Sequence, residues 1–261
     1  MDGVLKAAFL FALGLAVGSF LNVVIYRVPR DLSVVSPGSA CPVCKHEVRG
    51  FDNVPVVSWV VLRGKCRDCR TAISARYPAI ELLTALLWVA VGARLDEPAV
   101  LVAWLVVTTA GVALAAIDLE LQRLPFKVTV PAAGMTVAAL VADAIVRSPD
   151  PAPKALASAG VWFLVYGGLW YGSAGKAMGF GDVVLAPVLG VALGWLGWGP
   201  SVLGLFGGFL VGAVVGVGLM AFGKVGRRAK VPHGPFMLVG AALGLFAGQP
   251  IWDAYLSAMG R

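Results

Sequence analysis

The sequence predicts an all-α polytopic membrane protein of about eight transmembrane helices, with a cytosolic zinc-ribbon-like insertion. Three observations carry that prediction. Hydrophobic residues make up 59% of the 261-residue chain and charged residues only 13%, a balance far more apolar than a soluble domain requires. The apolar residues gather into runs that mostly reach the length of about 17–25 residues needed to span a bilayer core. The lysines and arginines concentrate in alternate gaps between those runs. The net charge of +7 therefore reads as membrane topology, and no nucleic-acid partner is expected.

The runs cover residues 4–26, 78–94, 99–117, 127–146, 155–172, 183–198, 201–222 and 235–256. The first follows Asp2 and Lys6 and shows no small-residue cleavage site after it, so it reads as a retained helix and not a signal peptide. The sixth is short and contains Pro187. If residues 27–76 face the cytosol, so do the gaps around 118–127, 173–182 and 223–234. These four stretches hold sixteen of the 21 lysines and arginines. By the positive-inside rule that asymmetry sets the orientation, with both termini outside and with Asp118 and Asp182 at the cytosolic boundary. The chain thus divides into a first helix (1–26), a cytosolic four-cysteine loop (27–76) and a multi-helix membrane domain (77–261). No internal repeat is evident, and low-complexity sequence is confined to Pro149–Pro153, in an external loop.

The polar loop holds all four cysteines, as Cys41-Pro-Val-Cys44 and Cys66-Arg-Asp-Cys69. Two such pairs form two knuckles that can complete a tetrahedral thiolate site for zinc. The competing reading is two disulfides, which a reducing cytosol disfavours. A closed four-thiolate site leaves no open coordination position, so this zinc is expected to be structural. His46, two residues after Cys44, is a bystander where four thiolates are available.

Asp118 closes the run 99–117, and Asp182 opens the run 183–198 within Gly179-Phe-Gly-Asp182. A carboxylate at a membrane boundary needs a partner, a wet cavity or a task. Two acids at one depth can share a proton and act as general acid and base on water, the chemistry of an aspartyl protease. Position alone equally allows each to sit in a polar turn at a helix end. The other acids compete poorly. Glu120 would face elsewhere than Asp118 on a continuing helix. Glu81 is placed where a helix dipole favours it, in the first turn of its segment. Asp143 falls on the opposite side of the membrane, and Glu47, Asp52 and Asp68 belong to a solvated loop. His233 reads as a loop histidine before a helix start. Gly204, Gly208, Gly212 and Gly216 recur every fourth residue and read as a packing stripe. No Gly-x-Ser-x-Gly or His-Glu-x-x-His motif is present.

Segments throughout the chain resemble the type IV prepilin peptidases, bifunctional membrane aspartyl proteases that also N-methylate their product. They are Gly18-Ser-Phe-Leu-Asn22-Val-Val-Ile-Tyr-Arg27-Val-Pro29, Ser39-Ala-Cys41-Pro-Val-Cys44, Asn53-Val-Pro55-Val-Val-Ser58-Trp59, Arg63-Gly-Lys-Cys66-Arg-Asp-Cys69 and Arg76-Tyr-Pro-Ala-Ile-Glu81. The second half adds Ile117-Asp118, Leu124-Pro125, Gly179-Phe-Gly-Asp182 and His233-Gly-Pro-Phe236. The resemblance implies that Asp118 and Asp182 are catalytic, cutting type IV prepilin or pseudopilin leaders after a glycine at the cytosolic face of the inner membrane. It also implies methylation of the new amino terminus, usually phenylalanine, from S-adenosylmethionine, an activity associated with the cysteine loop. No dinucleotide-type glycine fingerprint occurs in that loop, so the methyl donor rests on the resemblance alone. Two departures stand out. Where the family follows Gly-Asp with an apolar residue and a lysine, this chain has Val183-Val184, which removes a cation that would hold ionised Asp182. Where the family often has an acid after Leu-Pro, this chain has Phe126.

Two readings from other classes remain at this level: a transporter using the carboxylates as a proton relay, and a non-catalytic scaffold. Acids at segment ends, not mid-span, count against the first. Membrane lipid is a further expected partner, through Arg227, Arg228 and Lys230.

Overall fold

The computed structural model describes residues 3–176, 178–223 and 231–260. Arg227, Arg228 and Lys230, the expected lipid contacts, lie outside them. Among the described residues every long element is an α-helix, the form that satisfies a backbone in a medium without water. They are α1 (Gly3–Arg27), a short α2 (Val57–Val61), α3 (Arg76–Arg94), α4 (Pro98–Leu121), α5 (Phe126–Val146), α6 (Ala152–Gly172), α7 (Phe180–Leu196), α8 (Trp198–Ala221) and α9 (Gly234–Ala258). Six of them, α1, α3, α4, α5, α8 and α9, are long and apolar enough to cross a membrane. The protein is therefore a multi-pass membrane protein. α6 and the 17-residue α7 complete the expected eight as helices but fall short of that measure.

The helices match the apolar runs except where the acids stand. α4 continues through Asp118 to Leu121, and α7 begins at Phe180, so both acids lie inside helices and not in polar turns. The Asp118 carbonyl still accepts from the Gln122 amide at 2.9 Å. α7 starts early because the Asp182 carboxylate accepts from the Gly179 amide, a capping-box contact that fixes the first turn.

The chain forms two compact units, one of residues up to 101 with 108–113, the other of 102–107 with 114 onward. In the first, α1 lies along α3. A Cβ on Gly18 would stand 2.6 Å from the Glu81 Cα, so only glycine permits this approach. Asn22 in α1 donates to the Tyr77 carbonyl at 3.2 Å. The loop between these helices contains two knuckles of the same construction. In each, the first cysteine amide donates to the carbonyl five residues on (Cys41 to His46, 2.9 Å; Cys66 to Thr71, 2.8 Å). The residue after the second cysteine, Lys45 or Arg70, adopts positive φ in each. The isolated bridges Ala40–Glu47 and Lys65–Ala72 match as well. The loop thus contains a structural repeat that composition does not display.

Three acids of this unit differ from their expected settings. Asp52 is half-buried and ion-paired: it receives the Arg67 guanidinium, with Nε at 2.7 Å from Oδ2, which holds its carboxyl below the usual range. Asp68 pairs with Arg49 at 3.0 Å, across the two knuckles. Glu81 is buried in the second turn of α3, where its Oε2 accepts from the Val56 amide at 2.7 Å. Its task is to hold the loop against the helix, at a residue with φ of 61° that a valine rarely adopts.

In the second unit α6 packs on α7 and α8 on α9, again along glycine-lined seams. The stripe on α8 is a packing stripe for Gly204, Gly208 and Gly212, which meet α9 or its residues, whereas Gly216 has nothing within 4 Å. α9 supplies a matching stripe: a Cβ on Gly240 would be 2.7 Å from the Gly208 Cα. Gly240→Leu is therefore expected to cost about 1–3 kcal/mol, as overpacking does. Thermal unfolding in detergent checks it, with Gly216→Leu as the silent control. Asp143 is buried and structural, accepting from the Trp195 indole at 3.0 Å and pairing with Arg147 at 3.5 Å.

Candidate active site

Asp118 and Asp182 come from different helices and both belong to the second unit. Each is only 5% exposed. Each carboxylate is held through Oδ2 by a main-chain amide: Asp118 by Gly234 at 3.0 Å, Asp182 by Gly179 at 3.0 Å. Among the described residues neither is ion-paired, so the position of Val184 brings no substitute cation to Asp182. The two are close enough that Asp182 feels the Asp118 charge. Leu124 explains how they meet. A Cβ on Gly181 would be 2.7 Å from the Leu124 Cβ, and one on Gly234 would be 3.1 Å from its Cδ2. One leucine thus touches the residue before Asp182 and the residue bonded to Asp118. Glu120, two residues from Asp118, is exposed.

Two residues beside the acids escape a reading of the sequence. Tyr166, fully buried in α6, places its hydroxyl 3.3 Å from His233 Nε2 and feels the charge of Asp182. His233, expected as a plain loop residue, is boxed by the rings of Tyr166, Phe209 and Phe236 just before α9. Burial pushes its imidazole below the ordinary value, so it stands neutral. It precedes Gly234, whose amide holds Asp118. His233 itself carried a signal, as a rare polar residue before Gly-Pro; Tyr166 is hidden within an apolar run.

Near the acids in the chain lies an aromatic group, at the ends of α5, α6 and α7. Phe126 at the start of α5 meets Phe180 edge-on, with ring centroids 6.1 Å apart, and Trp170 meets Phe180 at 5.2 Å. Phe126 is 48% and Phe180 50% exposed.

In the first unit the four cysteines converge, with every Sγ within 4.8 Å of the others. Cys41 and Cys69 are 3.7 Å apart, Cys44 and Cys66 4.0 Å. Zinc–sulfur bonds of about 2.3 Å in a tetrahedron imply edges of about 3.8 Å, so the cluster fits zinc. Hydrogen bonding to Thr71, 3.4 Å away, draws the Cys69 thiol down to about 6, whereas burial and the neighbouring thiols push Cys44 up to about 12, so without a metal the cluster does not hold four thiolates at once. His46 is not part of the cluster.

Fold and site together define a helical membrane protein with a buried pair of carboxylates and a cluster of four cysteines that could hold a metal ion. Residues 12–95 match the bacterial peptidase A24 N-terminal domain, and residues 99–217 match the type IV leader peptidase family. The chain belongs to the type IV leader peptidase family. It is 43% identical over 234 residues to the prepilin leader peptidase/N-methyltransferase of Myxococcus xanthus, covering 87% of this chain and 68% of that one. The proteins of the same name from Aeromonas salmonicida and Pseudomonas aeruginosa are 33% and 32% identical, covering 97% and 95% of this chain and 94% and 92% of theirs. No solved structure matches the chain.

Proposed function

We propose that the chain is a membrane aspartyl endopeptidase that removes the leader of type IV prepilins or pseudopilins at the cytosolic face, and then N-methylates the new amino terminus. The observation that supports it most is the pair itself: two buried acids, each oriented by a main-chain amide, one within range of the other's charge. With one proton shared, one carboxylate takes a proton from water as the hydroxyl adds to the peptide carbonyl. The other donates to the carbonyl oxygen, and the C–N bond then breaks with the proton delivered to the amine. The names of the relatives support the substrate class and the methylation. S-adenosylmethionine would supply the methyl group to the freed amine. Zinc on Cys41, Cys44, Cys66 and Cys69 would organise the loop 27–76 and take no part in hydrolysis. The excess of lysine and arginine in that loop supports a cytosolic face for it and for the acids. The division into a first helix, a zinc loop and a protease domain of 77–261 is part of the same proposal, as are lipid contacts at Arg227, Arg228 and Lys230.

The test is cleavage of a prepilin-like peptide in detergent by wild type, Asp118→Asn and Asp182→Asn, read as product masses with and without S-adenosylmethionine. Cleavage that survives both substitutions overturns the mechanism. A product that never gains a methyl group overturns the second activity. Gly234→Ala provides a finer check. Its Cβ would stand 2.9 Å from the Asp118 Oδ2, so the acid must shift. A shift of this kind is expected to lower kcat about tenfold or more while zinc content is unchanged.

A further inference from the structure

We propose that α2 lies in the membrane boundary with Val57, Val60 and Val61 seated among the lipid chains, so that the four-cysteine loop is held down on the bilayer surface. The inference concerns the first unit alone and stands apart from the peptidase reading.

Three observations carry it. The first is the face itself. Val57, Val60 and Val61 fall three and four residues apart, on one side of a helix, and are 55%, 61% and 69% exposed. The rest of the helix is tied into the loop. The Ser58 hydroxyl donates to the Phe51 carbonyl at 3.1 Å and accepts from the Val54 amide at 3.0 Å, and the Trp59 indole donates to the Ile73 carbonyl at 3.1 Å. The valines therefore cannot turn inward without breaking these bonds.

The second is depth. The Val56 amide, just before α2, donates to Glu81 Oε2 at 2.7 Å, and the Ser19 hydroxyl bonds the same carboxylate. Glu81 is five residues into the spanning helix α3, about 8 Å along its axis. Ser19 lies eight residues before the end of α1 at Arg27, about 12 Å from it. Both helices thus place the carboxylate well inside their ends, and the start of α2 is drawn to that level. Leu82 and Leu83, which follow Glu81 in α3, are themselves exposed, so the unit already meets lipid there.

The third is the marking of the boundary. Tyr26 near the end of α1 and Tyr77 near the start of α3 are both exposed, in the place an aromatic belt takes at a membrane surface. Ser19 and Glu81 lie on the membrane side of these tyrosines, and Asn22 of α1, bonded to the Tyr77 carbonyl, keeps the two helices in register. Arg63 and Lys65, both exposed, follow α2 directly and suit anionic headgroups. An apolar face with cations at its edge is the pattern of a helix lying in the interface.

The experiment places a nitroxide on Val60→Cys, and separately on Val57→Cys, in the full chain reconstituted in lipid nanodiscs. It compares collisions with dissolved oxygen, which concentrates in lipid, and with a water-soluble nickel chelate. The unsubstituted chain labelled in parallel gives the contribution of the native cysteines, and thermal unfolding confirms that each variant folds. Leu86→Cys on α3 and Asp150→Cys between α5 and α6 serve as the lipid and water references. The expected result is that oxygen prevails at positions 57 and 60, as at Leu86, with the order reversed at Asp150. Nickel prevailing at either position puts α2 in water and overturns the proposal. Shielding from both quenchers means that protein, such as a second copy of the chain, covers the face, and overturns it as well.

Discussion

Asp182→Asn is expected to lower kcat for leader cleavage by about a thousandfold, in the range lost when a positioned acid or base is removed. An amide can neither take the proton of water nor return one to the leaving amine. It can still accept from the Gly179 amide through its carbonyl oxygen, so the 3.0 Å contact that starts α7 is retained. Folding should therefore survive, with the unfolding temperature close to that of wild type. Asp118→Asn is expected to behave in the same way against Gly234. The double variant should lose little more than either single one, since the two acids work as one unit. Single-turnover cleavage read by mass checks both statements. Rate losses that multiply in the double variant would sink the shared-proton scheme.

Removal of zinc is expected to separate the two activities. Chelation, or Cys41→Ser with Cys66→Ser, should reduce methylation at least about tenfold and expose residues 31–75 to proteolysis, because a metal that closes two knuckles is part of their fold. Leader cleavage should remain within about twofold, since the amides that orient Asp118 and Asp182 belong to the acids' own unit. Acid should have the effect of chelation. Each thiolate must lose its metal as it gains a proton, so metal content is expected to fall as pH is lowered. Metal analysis alongside limited proteolysis and product masses reads all three. Cleavage lost in step with zinc would contradict this separation.

The parts of the fold that were legible in the sequence are those set by one-dimensional physics. A spanning helix needs only a sufficient run of apolar residues, so the boundaries of α1, α3, α5 and α9 could be read within a few positions. The four cysteines could be read because metal ligation constrains spacing. What was illegible depends on partners distant in the chain. Asp52 and Arg67 are 15 residues apart, Arg49 and Asp68 19, and no local rule pairs them. Glu81 looked like a dipole-favoured acid because its true partner is the Val56 amide, 25 residues earlier. Tyr166 is one aromatic residue among many in α6 until His233 arrives beside it. The knuckle repeat was hidden because it is written in backbone conformation, at Lys45 and Arg70, and not in matching side chains.

Both acids are oriented by main-chain amides, at Gly179 and Gly234, and not by the side chain of another residue. A side-chain partner can be lost by a single base change; an amide can be lost only to proline. The orientation of the reacting groups thus depends on the backbone at two glycines, and Gly234 must also stay without a Cβ to leave Asp118 its place.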